Sequence, residues 1–436
     1  MITTINNKHK ELNFSSGREQ SQACLNSAEH EKNQGRKVLN VPNLRFPEFQ
    51  GEWEEERLAD IADLYKGTSI SKDQLSDDGE PCILYGELYT KYKSETIREV
   101  ISKTNIDNTK LVRSKANDVI IPCSGETAED IATARCVLNG NILLGGDLNI
   151  IRLHGYDGTF MSYQLNGKRK YDIAKVAQGV SVVHLYGEHL KGVKTINPCL
   201  TEQKKIASLL TLLDKRIATQ NKIIDRLQSL IKGLNDSLFA QYGGKVLTSF
   251  AKLGTSYSGL SGKSAQDFGS GKPFITYLNV YSNNVINENE FQYVAIKDDE
   301  KQNVAEYGDV LFTLSSETPR EVGMGSVYLG KEKVYLNSFC FGIHITNMEV
   351  AFPPYLSYYV SSTAFRKFIY PYAQGSTRFN LCKADFEKAS IKLPTLENQK
   401  RIYSILSHID NKIITERQML DLYNSQKQYL LRQMFI

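Results

Sequence analysis

Two stretches of the chain place apolar residues at alternating steps of four and three. The first runs through Ile206, Leu210, Leu213, Ile217, Ile224, Leu227, Ile231, Leu234 and Leu238. The second runs through Ile402, Leu406, Ile409, Ile413, Leu420, Tyr423, Leu430 and Met434. That spacing predicts the seam of a coiled coil. The first seam breaks at Gln220, the second at Glu416 and Lys427. The stretches align without a gap at an offset of 196 residues, which lays Gln220 on Glu416 and QKKIASLLTLLDKRI on QKRIYSILSHIDNKI. Matched polar breaks predict two helices that pack on each other and use the break to fix register. Each helix of about 37 residues would be roughly 55 Å long. The other reading is two amphipathic helices, each buried against its own domain.

The rest of the chain repeats the same order. ERLADIADLY reads as a short helix or strand. PCILYGEL, NDVIIPC and NILLGGDLNIIRL read as strands, and GTFMSYQLNGKRKYDIAKVAQG turns helical towards its end. After Phe239, KPFITYLNVY lies over EPCILYGELY and pairs Tyr85 with Tyr277 and Tyr89 with Tyr281. GDVLFTLSSET lies over NDVIIPCSGET and pairs Asp118, Ser124 and Thr127 with Asp309, Ser315 and Thr318. AQGSTRFNL, from Ala373, lies over AQGVSVVHL, from Ala177. The organisation is globule, helix, globule, helix, as a long internal repeat requires. Residues 1–40 are polar and aperiodic, which predicts a disordered tail.

Composition narrows the class. The 41% of hydrophobic residues suits a soluble globular protein, and a net charge of +4 leaves nucleic-acid binding to local patches. No apolar leader and no apolar run long enough to span a bilayer is present, which points to the cytoplasm and away from membranes. The 7 cysteines are odd in number and scattered, which predicts reduced thiols without zinc or disulfides. Catalytic patterns fail on inspection. GLSGKS lacks the first glycine of a phosphate loop because Tyr257 stands there. GMGSVY lacks the third glycine of a dinucleotide fingerprint. FPPY, from Phe352, carries Phe where a polar residue would hold a target amine. The sequence gives no ground for calling the chain an enzyme.

VPNLRFPEFQGEW near Val41, AQGSTRFNL, and the blocks LTEQKKIASLLTLLDKRI and LENQKRIYSILSHIDNKI occur here in one order. With them the chain resembles the DNA-specificity subunit of type I restriction–modification systems, from Val41 to Ile436. The resemblance implies an α+β fold: two similar α/β target-recognition domains joined by two long antiparallel coiled-coil helices, a pseudo-twofold internal repeat. The expected parts are target-recognition domains at 41–199 and 245–395, a central spacer helix at 200–244 and a C-terminal spacer helix at 396–436. It implies a non-catalytic subunit that reads a bipartite, asymmetric site in double-stranded DNA. Its partners would be two methyltransferase subunits and the restriction subunits. S-adenosylmethionine, ATP and Mg are then expected on those partners, and no cofactor on this chain.

Candidate DNA-binding residues follow from the repeated polar blocks. In the first domain they are Ser124, Thr127, Gln178 and Ser181. In the second they are Ser315, Ser316, Thr318, Arg320, Gln374, Ser376, Thr377 and Arg378. Small hydroxyls and an arginine after Gly375 suit phosphate or guanine contacts. The first domain has Val180, Ser181, Val182 and Val183 there, without the arginine. The loop is therefore either structural, or read differently in the two domains. Tyr85, Tyr89, Tyr277 and Tyr281 alternate along predicted strands and read as core. The rival reading is a coiled-coil adaptor with two interaction domains and no DNA role.

Overall fold

The computed structural model describes residues 39–68, 70–107, 110–179 and 182–436. The tail expected over residues 1–40 lies outside the described residues except for Leu39 and Asn40, and Ser181 also lies outside them. The chain divides into two compact units. One ends at Leu210 and takes in Tyr429–Ile436, and the other is Thr211–Gln428. Each long helix is therefore shared between the units.

In the first unit, strand Leu148–Leu153 runs antiparallel between Ala62–Lys66 and Asp118–Pro122, and the sheet continues through Arg135–Val137 to Thr96–Ile97. The central strands read as continuous apolar runs because both faces are covered. Helix Gly158–Asn166 is buried along its length and contributes Met161 and Leu165 to the core with Val119, Ile121 and Ile151. A second sheet, in the order Leu143–Leu144, Glu80–Ile83, Ser102–Thr104, Leu75–Ser76, stands beside it. The segment before the first strand is anchored by Trp53, 2% exposed and edge-on to Phe160, which itself stacks on Phe435. Arg45 grips Glu202 of the first long helix through two hydrogen bonds, and the Leu44 amide donates to the Gln433 carbonyl of the second.

The second unit repeats this plan. Strand Cys340–Ile345 lies between Gly254–Ser258 and Val310–Thr313, with Gly325–Val327 at the edge. Helix Pro353–Ser361 takes the place of Gly158–Asn166, and an aromatic cluster of Phe250, Phe312, Phe341, Phe365 and Phe386 fills the core. Two local expectations change. The strands carrying the tyrosine pairs stop at Ile83 and Ile275, and Glu87–Thr90 and Tyr277–Ser282 are helical turns. Tyr85 is exposed and Tyr89 and Tyr281 are half-buried, while Tyr277, also half-buried, packs against the core cluster of Ile275, Val280 and Leu311. The region after Gly158 is helical from its first residue, in two pieces, Gly158–Asn166 and Lys170–Val176.

The long helices span Leu200–Tyr242 and Leu396–Gln433. Proline precedes each start, where a missing N–H is harmless, and Gly243–Gly244 ends the first, with Gly244 at φ +75°. Within the second unit the helices pair antiparallel. Gln220 donates to the Glu416 carbonyl and side chain, so the matched breaks meet. Lys427, a break with no expected partner, forms an ion pair of 2.8 Å with Asp214, both nearly buried. Leu213, Ile224 and Ile413 are buried on the seam, while Ile217, Leu227, Ile409 and Leu420 are half-covered. The end positions also serve the globules. Ile402 and Leu406 join Ile231, Leu234 and Leu238 in the core of the second globule, and Ile206 and Leu210 are buried in the first unit. Each fully buried Leu or Ile contributes about 1.5–3 kcal/mol, so the seam alone could not be replaced by polar residues.

Both helix starts are fixed in the same way. Gln203 donates to the Pro198 carbonyl and accepts from the Asp157 amide. Gln399, its counterpart, donates to the Pro394 carbonyl and accepts from the Phe352 amide. Each glutamine is buried with both ends satisfied and ties its helix to the loop before a buried globule helix.

Candidate nucleic-acid interface

In the second unit the candidate residues come together at one sheet end. Strand Phe379–Leu381 pairs with Ala373–Gln374 on one side and with Ser315–Ser316 on the other. The turn between the paired strands is Gly375, Ser376, Thr377 and Arg378, all exposed. Gly375 has φ +135°, and a Cβ there would lie 2.1 Å from the Arg378 carbonyl oxygen, so only glycine closes this turn. The Arg378 guanidinium stands 5.8 Å from the centroid of the Phe339 ring, which is 55% exposed. Cation–π contact at that range holds the guanidinium while leaving its N–H donors open.

The loop beside this hairpin is internally bonded. Thr318 and Tyr281 each donate to Glu321 at 2.8 Å. These hydrogen bonds, the Thr318 one first, hold the Glu321 carboxyl below its ordinary pKa. Tyr277 donates to the Ser315 carbonyl and stacks on Tyr281 with centroids 6.0 Å apart. Arg366 donates to the carbonyls of Arg320, Val322 and Gly323, which fixes the loop backbone and leaves the Arg320 side chain on the exposed edge. Ser315 and Ser316 are buried strand residues, and the Ser315 hydroxyl has no hydrogen-bond partner.

The first unit has the same frame with different surface chemistry. Ser124–Gly125 pairs with Val183–His184, and Gln178 exchanges backbone hydrogen bonds with His184. Gly179 has φ +130°, and a Cβ there would again sit 2.1 Å from a carbonyl oxygen, here that of Val182. Val182, 52% exposed, takes the place of Arg378. Ser124 is buried, and Thr127 caps helix Ala128–Ile131 by accepting from the Asp130 amide and donating to its carboxylate. The exposed groups beside this turn are His184 and Tyr186, stacked at 6.2 Å. The sequence blocks located the two turns but not Phe339, Tyr186 or His184. Phe339 and Tyr186 sit outside the matched blocks, and His184, inside one, lies opposite Asn380, so only exposure beside the turn would have marked them.

A family model described as type I restriction modification DNA specificity domain matches twice, over residues 50–229 and 261–422. The chain belongs to this family. Each match covers one globule and much of its following helix, as a duplicated specificity subunit requires. The Type I restriction enzyme MjaVIII specificity subunit of Methanocaldococcus jannaschii is 28% identical over 199 residues, 45% of this chain and 44% of that protein. The putative type I restriction enzyme MjaX specificity subunit of the same organism is 26% identical over 438 residues, 87% of this chain and 92% of that protein. Among solved structures, the type I restriction–modification S subunit from M. genitalium superposes with a TM-score of 0.55 at 15% identity. It covers 91% of this chain and 99% of its own. A chain from a study of assembly and conformational transition in the type I R-M system gives 0.53 at 15% identity, covering 87% and 96%. At these identities the structural likeness speaks for the fold. Among the described residues no helix is long and apolar enough to cross a membrane, and no group of three His, Cys, Asp or Glu could hold a metal ion.

Proposed function

We propose that this specificity subunit reads a bipartite, asymmetric sequence in double-stranded DNA. The observation that carries this reading is a matched pair of glycines. Gly179 and Gly375 both have positive φ, and at each a Cβ would lie 2.1 Å from the carbonyl oxygen three residues on, yet the exposed residues at those positions are Val182 and Arg378. Like frames with unlike tips suit two readers of two different half-sites. The paired helices set the spacing between the half-sites and carry two methyltransferase subunits, to which the restriction subunits add. S-adenosylmethionine, ATP and Mg act on those partners, and this chain has no catalytic residue of its own. An adaptor without a DNA role gives no reason for an exposed arginine held against an aromatic ring.

Exchange of residues 245–393 for the matching domain of a related subunit, with both long helices intact, tests the reading. Methylation mapped across a genome should show one half-site changed, the other half-site kept and the spacing kept. Simultaneous change of both halves would refute it. At finer scale, Arg378→Ala should lower the slope of log K against log salt by about one if Arg378 meets a phosphate. If it meets a base edge, discrimination at one position should relax by about 1–3 kcal/mol.

A further inference from the structure

Away from the turns, the first unit holds a cleft of about 470 Å³ at the start of the first long helix. Its wall includes Glu54, Glu56, Tyr156, Asn197 and Cys199. The donors of Tyr156, Asn197, Arg45 and His154 in this wall are already engaged. Tyr156 gives its hydroxyl proton to Glu56, 2.6 and 2.7 Å from the two carboxylate oxygens. The Asn197 amide nitrogen donates to Glu56 and to Thr195. Arg45 is held by Glu202, and His154 by Asp63. The acceptors are in excess. Asn197 is 3% exposed, and its Oδ1 accepts no hydrogen bond. Glu56 is held by a phenol and an amide, neither of which carries charge.

The second unit has none of this. Strand Glu54–Arg57 pairs Glu54 with Asn197, whereas the equivalent strand Val246–Thr248 pairs Val246 with Leu393. Glu54, Glu56 and Asn197 are thus Val246, Thr248 and Leu393 in the other half, and the junction of globule and helix folds without carboxylates there. The acidic wall is therefore not a requirement of the fold.

We propose that this cleft binds a guanidinium or primary ammonium group, whose several N–H donors meet Glu54, Glu56 and the unsatisfied Asn197 Oδ1. Charge-assisted hydrogen bonds of this kind are the strong ones, and a planar guanidinium can meet two oxygens at once. The cation is either a free polyamine or an Arg or Lys side chain of a partner subunit; the second source rests on the proposed assembly, the first does not.

Cys199 supplies the test, because it lines the cleft and is exposed. Labelling of the full chain by N-ethylmaleimide is followed at the Cys199 peptide by mass spectrometry. Agmatine raised to about 10 mM at constant ionic strength should slow labelling about tenfold if its Kd is near 1 mM. Glu54→Gln and Glu56→Gln should each restore the unprotected rate, with Glu56→Gln keeping an acceptor for Tyr156. If the source is a partner's side chain, agmatine has little effect and Cys199 is protected in the purified complex with methyltransferase. That protection is lost in the same two variants. Labelling at one rate with agmatine, in the complex and in both variants overturns the proposal. So does protection that persists after either glutamate is changed.

Discussion

The same aspartate is satisfied in two different ways in the two halves of the molecule. Asp118 opens its strand and Asp309 stands just before the equivalent one; both are almost fully buried, and each accepts from the backbone amide three residues earlier. In the first half Asp118 takes two hydrogen bonds from Arg152, at 2.9 and 2.8 Å. In the second it is His344 that meets Asp309, at 2.9 Å, joined by the Tyr257 hydroxyl at 2.6 Å. The tyrosines explain the change. Tyr65 lies across from Ile150, and Tyr257 lies across from Gly342. Ile150 fills the space over its strand, so Tyr65 stays 44% exposed with Arg152 4.9 Å above its ring. Gly342 leaves that space open, and the Tyr257 ring folds into it, 7% exposed and stacked on His344 at 4.2 Å. A Cβ on Gly342 would lie 2.1 Å from that ring. The open space over Gly342 thus lets a tyrosine join His344 at the buried carboxylate, where the first half has Arg152 alone.

The largest break in this comparison should come from Gly342→Ile, which installs the first half's residue in the second. Overpacking of about 1–3 kcal/mol and a buried carboxylate deprived of its phenol should together lower stability by about 3 kcal/mol. Urea unfolding followed by circular dichroism reads it, and a loss under about 1 kcal/mol would mean the tyrosine is not wedged by the glycine.

A smaller effect separates the tyrosines themselves. Tyr257→Phe removes a donor from a buried carboxylate and should lower stability by about 2 kcal/mol. Tyr65→Phe touches an exposed ring and should stay within about 0.5 kcal/mol. Equal losses would erase the distinction between the halves.

The smallest expected effect is on pH dependence. Burial is the main cause that raises the Asp309 carboxyl above its ordinary value of 3.8, against the opposing hydrogen bonds from Tyr257, Glu306 and His344. A raised folded value means the folded state holds this proton more tightly than the unfolded one. Its contribution to stability is therefore greatest below about pH 3.8 and declines as pH rises through the folded value. Asp309→Asn should remove that decline and flatten the stability profile above pH 3.8, as measured by thermal unfolding across pH. An unchanged profile would place the proton elsewhere in the cluster.

Much of the architecture was legible in the letters. Steps of four and three name one helix face wherever the helix is, so Leu213, Ile224, Ile413 and the Gln220–Glu416 break could be placed before any contact was known. The ungapped offset of 196 residues likewise carried the two-part plan. Asp118 and Asp309 could be aligned, and the turns after Gly179 and Gly375 could be found, because both lie in short matched blocks. The tyrosine pairs misled: a run of β-formers into Tyr85 or Tyr277 reads as strand, and the helical turn there is set by packing over the sheet end.

The sequence by itself therefore determined periodic elements, their repetition and the register of the helix pair. These are carried by spacing along one helix and by a fixed offset between two copies of one pattern. The tertiary structure alone decided which residues answer each other across strands: Lys427 against Asp214, Tyr257 over Gly342, Arg378 beside Phe339, Asn197 facing Glu54. Those pairings depend on the volume left by one distant side chain, or on the charge it presents. No local pattern carries that information.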